Sequence, residues 1–231
     1  MQNPVRFVRK LPFALVTDFD GTVSRHDFFE LAVARFVKED APDYWREYVA
    51  GRLTHFEAMR DIYAHIRCDE QTLAQTVRDM EVDPKLGSAV EALRRAGWDV
   101  IVVSAGCDWY IARHLQDAGV ELTVHTNPSA FRPGNGLHME LPLDSPFLSV
   151  THGVDKEAVV RDALGRYERV AFAGNGQPDL GAALVAHPEL RFARGWLARE
   201  LERRGEPFRR FRWWSEIAQS LAPGYEEEIR K

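Results

Sequence analysis

The chain has 231 residues, of which 45% are hydrophobic and 28% charged, and a formal net charge of −5. Those values exclude a disordered or collagen-like chain, and the acidic balance argues against an obligate nucleic-acid binder, whose footprint is basic. Cys68 and Cys107 are the two cysteines, which argues against a disulfide framework and suits a reducing compartment.

Met1–Lys10 mixes polar and apolar residues, and the first apolar run, Phe13–Val16, is too short for a signal peptide. No run approaches the roughly 20 apolar residues of a membrane span. A cytoplasmic protein is expected, with no membrane and no nucleic-acid partner. No repeat is evident, and nothing specifies an oligomeric state.

Four short apolar segments predict strands buried on both faces: Phe13–Thr17, Trp98–Val103, Leu122–Thr126 and Arg169–Ala173, with a weaker fifth at Leu190–Ala193. Between the first and second lies a block read as helices over Phe28–Lys38, Pro42–Ala50, Thr54–Ile66 and Glu70–Met80, with a capping box at Thr54–Glu57. Further helices are expected after the Asp83-Pro84 cap, over Asp108–Ala118, and over Asp155–Leu164 up to Gly165. Pro133-Gly134-Asn135-Gly136 before an alternating Leu137–Leu141 reads as a hairpin. The fold class expected is α/β, a doubly wound, mainly parallel Rossmann-like sheet. Residues 1–23 and 84–231 form its core, and residues 24–83 form an inserted helical cap over the carboxyl ends of the strands.

The chemistry gathers at strand ends. Asp18-Phe19-Asp20-Gly21-Thr22 places two acids at i and i+2, where one can attack while the other binds a metal or shuttles a proton. A plain Asp-Gly turn is the alternative. Ser104, with the amides of Ala105 and Gly106, offers a phosphate cradle or a simple N-cap. Lys156 opens a helix, against the macrodipole, as it would beside an anionic site or on an ordinary surface. Gly174-Asn175-Gly176-Gln177-Pro178-Asp179 reads as a metal or phosphate loop, or as a turn into a helix.

Together these motifs resemble the haloacid dehalogenase superfamily of phosphotransferases, and the resemblance spans the chain. Val103–Gly106, Asp108-Trp109-Tyr110, Lys156 and Phe192-Ala193-Arg194 look like its phosphoserine-phosphatase-related branch, nearest to the methionine-salvage phosphatases that act on a methylthiopentenyl phosphate. The resemblance implies Asp18 as nucleophile and Asp20 as acid and base. It implies Thr22, Ser104, Ala105, Gly106 and Lys156 around the phosphate, and Mg²⁺ held by Asp18, Asp20, Asn175 and Asp179. Asp27 and Phe28 are the cap residues expected to face a small phosphate-ester substrate. Asn175 departs from the family's usual Asp, which predicts weaker Mg²⁺ binding.

Other readings stay open at this stage: a phosphoserine phosphatase or phosphotransferase, a metal-independent dehalogenase, a silent phosphate-ligand binder, and a dinucleotide module built on Gly174-Asn175-Gly176. Cys107 reads as a buried thiol. The eight histidines show no zinc spacing. The run from Arg203 to Trp214 reads as a solvated helix face anchored by two aromatics. Phe28, Phe29, Phe36, Trp45 and Tyr48 read as cap core, with one or two lining a pocket.

Overall fold

A computed structural model describes residues 11–38 and 41–225. Met1–Lys10, read above for a leader, lies outside them, as does the end of the core assignment beyond 225.

The apolar run of the first strand, β1 (Leu11–Thr17), alternates between two cores. Leu15 packs into one, and Ala14 and Val16 into the other, as a strand buried on both faces requires. Four helices follow: α1 (Phe28–Phe36), α2 (Tyr44–Val49), α3 (His55–Tyr63) and α4 (Glu70–Arg78). The Thr54 capping box starts α3: the Thr54 hydroxyl accepts the Glu57 amide at 3.2 Å while Glu57 accepts the Thr54 amide at 2.8 Å. The chain then returns through α5 (Leu86–Arg95), β2 (Trp98–Cys107), α6 (Asp108–Asp117) and β3 (Thr123–Asn127). The expected hairpin forms as β4 (Ser129–Arg132) and β5 (Gly136–Met139), and a smaller one as β6 (Leu148–Ser149) and β7 (Gly153–Val154).

The last third runs α7 (Lys156–Arg166), β8 (Tyr167–Gly174), α8 (Leu180–Val185), β9 (Arg191–Ala193), α9 (Gly195–Arg204), β10 (Arg209–Arg210) and α10 (Ser215–Leu221). The main sheet has the order β10-β9-β8-β1-β2-β3, with every pairing parallel. One core contains residues of α5, α6, α10 and the inserted helices, and the other those of α7, α8 and α9. After β3 the chain crosses β1 to resume on its other side. The carboxyl end of β1 is therefore the switch point where a doubly wound sheet opens a crevice.

Three local expectations differ. The helix α5 starts at Leu86, later than the Asp83-Pro84 pattern implies; the Asp83 carboxylate accepts the Lys85 amide locally, and also the amide of Ser215, a tertiary contact the sequence pattern does not contain. Gly165 does not end α7, which runs on to Arg166, since a helical glycine costs only about 1 kcal/mol against alanine. The stretch from Arg203 to Trp214 is not one helix face. It ends α9, makes the edge strand β10, and buries Trp214 at the start of α10. Three of its five arginines are in ion pairs, Arg203 and Arg204 with Glu200 and Arg210 with Glu202.

The inserted helices join the sheet through a two-stranded neck. Ser24 bridges Val82 antiparallel, and the amides of Arg25 and His26 donate to the Met80 carbonyl at 3.0 Å. The Phe56 amide, at the start of α3, also donates to the Thr151 carbonyl at 2.8 Å, tying the cap to the β6–β7 turn.

Candidate active site

Asp18 emerges at the switch point with its amide bonded to the Ala173 carbonyl at 2.9 Å. Behind it, the buried Trp214 indole donates to the Thr17 hydroxyl at 3.0 Å. The Phe19 carbonyl accepts the amides of Thr22, Val23 and Ser24, a tight turn that needs the left-handed Gly21 (φ +63°). That turn keeps Asp20 beside Asp18 while the chain leaves for the cap.

Each carboxylate has its own donors. Asp18 accepts from Lys156 Nζ at 2.6 Å on one oxygen and from the Thr22 hydroxyl at 3.1 Å on the other. Asp20 accepts the Phe28 amide at 3.2 Å, the Tyr110 hydroxyl at 2.6 Å and the Ser104 hydroxyl at 3.1 Å. Lys156, the first residue of α7 after its Asp155 N-cap, also reaches Asp179 at 2.6 Å. Asp179 accepts the amides of Asn175 and Gly176 with its second oxygen, both at 2.8 Å. Asn175 Oδ1 accepts from the same Thr22 hydroxyl that touches Asp18, at 3.0 Å.

Asp18, Ser104, Lys156 and Asp179 are all buried, so two buried carboxylates share one ammonium, with the half-buried Asp20 alongside. Burial, then Asp179, pushes the Asp18 carboxyl up to about 7 against the pull of Lys156. Burial also raises Asp20, against donation from Tyr110 and the Phe28 amide. For Lys156, burial works against the charge, but Asp179 and Asp18 outweigh it and hold the ammonium above the ordinary lysine value. Asp27, half-buried beside Asp20, is raised well above the ordinary range by desolvation and then by the Asp20 charge. The excess of carboxylate over ammonium is what a divalent cation would relieve.

The donors suit Mg²⁺. The Asp18 carboxylate and the Asn175 amide oxygen converge on Thr22, a set of hard oxygens of the kind that cation takes alongside waters. Among the described residues no group of three or more His, Cys, Asp or Glu is placed to hold a metal. Any ion here would therefore rest on amide and backbone oxygens as well as on Asp18.

These residues line a cavity of about 480 Å³ between sheet and cap. Asp18, Asp20, Asp27, Ser104, Ala105, Gly106, Lys156, Asn175 and Asp179 all border it, with Thr22 buried beneath. The bulge between Val103 and Cys107 shapes the Ser104–Gly106 segment, whose Gly106 amide donates to the Ser104 hydroxyl at 2.9 Å. Ala105 and Gly106 therefore belong to the strand end, and α6 begins only at Asp108.

Two expectations change. Phe28 does not border the cavity: it is fully buried, stacks on Tyr110 at 4.6 Å, and contributes its amide to Asp20. Phe29 faces the cavity in its place. Asp179 has both oxygens engaged, so its geometry is that of an organiser of Lys156 and the loop rather than of a metal ligand.

Sequence reasoning missed Tyr110, and on α3 it missed His55, Met59 and Tyr63, which also border the cavity. Their i, i+4, i+8 spacing was the available signal. Asn127 was missed as well; its amide group donates to the Ala105 and Gly106 carbonyls at 2.9 Å each and holds the bulge. Cys107 is buried as expected, its thiol pushed up to about 12.

Residues 15–184 match the haloacid dehalogenase-like hydrolase family. The chain belongs to that family. It is 26% identical over 198 residues to the bifunctional enzyme MtnB/MtnX of Bacillus licheniformis, covering 83% of this chain and 45% of that protein. The chain thus spans less than half the length of this curated relative. Among solved structures, a substrate-bound phosphoserine phosphatase complex superposes with a TM-score of 0.65 at 15% identity, covering 92% of this chain and all of that one. The hydrolase t0658 from Salmonella enterica serovar Typhi gives 0.68 at 16%, covering 93% and 72%. A probable phosphoserine phosphatase from Vibrio cholerae gives 0.66 at 18%, covering 94% and 67%. These neighbours share the haloacid dehalogenase fold, and the motifs at Asp18, Ser104, Lys156 and Asp179 fall at its strand ends and helix starts. No helix among the described residues is long and apolar enough to cross a membrane.

Proposed function

We propose that this chain is a phosphomonoesterase that hydrolyses a small phosphorylated metabolite through an aspartyl-phosphate. The observation that carries the reading is the pairing of two carboxylates with opposite surroundings at one strand end. Asp18 is bound by an ammonium, and Asp20 by hydroxyls and an amide.

Asp18 attacks phosphorus and takes the phosphoryl group. Asp20, whose carboxyl is held above its ordinary range, gives its proton to the leaving oxygen, and as a carboxylate it then takes one from the water that cleaves the intermediate. Lys156 and the Ser104 hydroxyl hold the phosphoryl oxygens as charge spreads over them. Asp179 keeps Lys156 and the Asn175–Gly176 amides in register. A Mg²⁺ held by Asp18, the Asp20 backbone carbonyl and Asn175 would supply charge neutralisation between carboxylate and phosphate dianion.

For the finer assignment we favour the methylthiopentenyl phosphate of methionine salvage over phosphoserine. The MtnB/MtnX relative supports it, and so does the cap side of the cavity. Phe29, Trp45, Tyr48 and Met59 offer an apolar wall suited to a thioether tail. Phosphate release from that ester and from phosphoserine, with and without Mg²⁺, is the test. Faster turnover of the thioether compound supports the assignment, a preference for phosphoserine reverses it, and no release from any phosphate ester refutes the phosphatase reading.

A further inference from the structure

Arg194 occupies a position that the chemistry above does not use. It lies between β9 and α9, half-buried, and its guanidinium is spent on neutral carbonyls. Nε donates to Gly21 at 2.5 Å, one Nη to Arg212 at 2.8 Å, and the other to Ser24 at 2.8 Å and Arg25 at 3.1 Å. Three of those four carbonyls belong to the segment that carries the chain from Asp20 out into the cap. The Phe211 ring lies 5.6 Å from the guanidinium carbon.

The same C-terminal segment holds the other parts of the site. The Arg194 amide donates to the Gly174 carbonyl and the Leu197 amide to the Asn175 carbonyl, which fixes the loop that carries Asn175. The Ser215 amide donates to Asp83 at 2.7 Å, on the leg of the neck that returns from the cap. That leg contains Glu81, whose φ of +52° is the one left-handed non-glycine value among the described residues. Both legs of the neck are therefore gripped from one side, the outgoing leg by a fork and the returning leg by a backbone amide.

We propose that Arg194 is the positioning residue of the cap neck. Its fork fixes the Gly21–Arg25 segment relative to Asp18, so that the cap wall of Phe29, Trp45 and Tyr63 is held over the phosphoryl site. The catalytic consequence rests on the phosphatase reading; the clamp itself does not. An ammonium cannot replace the fork, because lysine gathers its donors at one point where arginine spreads them over a plane and bonds several separated carbonyls in fixed directions.

The test uses Arg194→Lys and Arg194→Gln beside the unsubstituted protein, with two readouts. The first is hydrogen exchange at the Arg25 and His26 amides, which donate across the neck to Met80 and Glu81. Both variants should exchange there about tenfold faster, with the β1 and β2 amides unchanged. The second is kcat/KM for phenyl phosphate, whose ring reaches the cap wall, and for acetyl phosphate, which does not. The expected loss is on the order of tenfold or more for phenyl phosphate and under about twofold for acetyl phosphate. Unchanged neck exchange, exchange accelerated throughout the fold, or an equal loss on both compounds would overturn the proposal. If the unsubstituted protein hydrolyses neither compound, neck exchange alone decides the clamp.

Discussion

Lys156 Nζ lies 2.6 Å from Asp18 Oδ1, between two buried side chains that are 138 positions apart in the chain. The contact closes the site electrostatically, because Asp179 draws on the same ammonium. Lys156→Met leaves two buried carboxylates facing each other, and the expected cost is about 3–5 kcal/mol of stability. Asp18→Asn, by contrast, keeps the volume and relieves the crowding, so a cooperative unfolding transition should persist while turnover falls to background. Denaturant titration and phosphate release on both variants check the pair. An Asp18→Asn protein that retains most of its activity would sink the nucleophile assignment.

The Asn175 amide oxygen shares the Thr22 hydroxyl with Asp18. Asn175→Asp adds a third negative side chain within reach of the same point. Without metal it should lower stability through like-charge repulsion, and with Mg²⁺ it should regain more than it lost. Thermal unfolding over a Mg²⁺ series reads both effects without any assay of activity. A Mg²⁺-dependent rise in Tm no larger than that of the unsubstituted protein would show that the side chain at 175 does not touch the ion.

The strands and the insert were legible because buried parallel strands read as unbroken apolar runs, and because Thr54 and Glu57 fix one helix start almost alone. The site residues were legible for a similar reason: Asp18, Ser104, Lys156 and Asp179 each lie near the end of a strand or the start of a helix, positions that sequence punctuation marks well. What the sequence hid was rotation and partnership. Phe28 and Phe29 are adjacent and chemically alike, and only the phase of α1 decides that one supports Tyr110 while the other faces the cavity. Arg194 gave no local signal of its four carbonyls, since the acceptors lie about 170 positions upstream or 18 downstream.

Gly106 and Tyr110 make a second testable pair. A Cβ at Gly106 would overlap the Tyr110 hydroxyl and press on Asp20 Oδ2. Gly106→Ala should therefore push the phenol off Asp20 and cost catalysis in the way that Tyr110→Phe does. Removing a donor that orients a catalytic group typically lowers kcat by roughly tenfold to a thousandfold. The double variant should lose little more than either single one, because both act on one contact. Losses that multiply would show that the two residues serve Asp20 independently.

His114 sets an acid limit on the fold. It is buried, its ring 5.8 Å from Phe19 and its Nε2 3.4 Å from the Met80 sulfur, and burial pulls its imidazole down to about 4. Above about pH 6.5 it is neutral in both the folded and the unfolded chain, and its contribution is fully present. As pH falls from there toward 4 the unfolded chain takes up a proton that the folded one refuses, so stability drops, by about 3 kcal/mol in all. Urea unfolding at pH 7, 5.5 and 4.5 should show that loss in the unsubstituted protein and a flatter dependence in His114→Gln. Parallel curves would mean that other groups govern acid unfolding. Met80 also accepts the Arg25 and His26 amides at the neck, so the acid-sensitive contact lies where cap and core join.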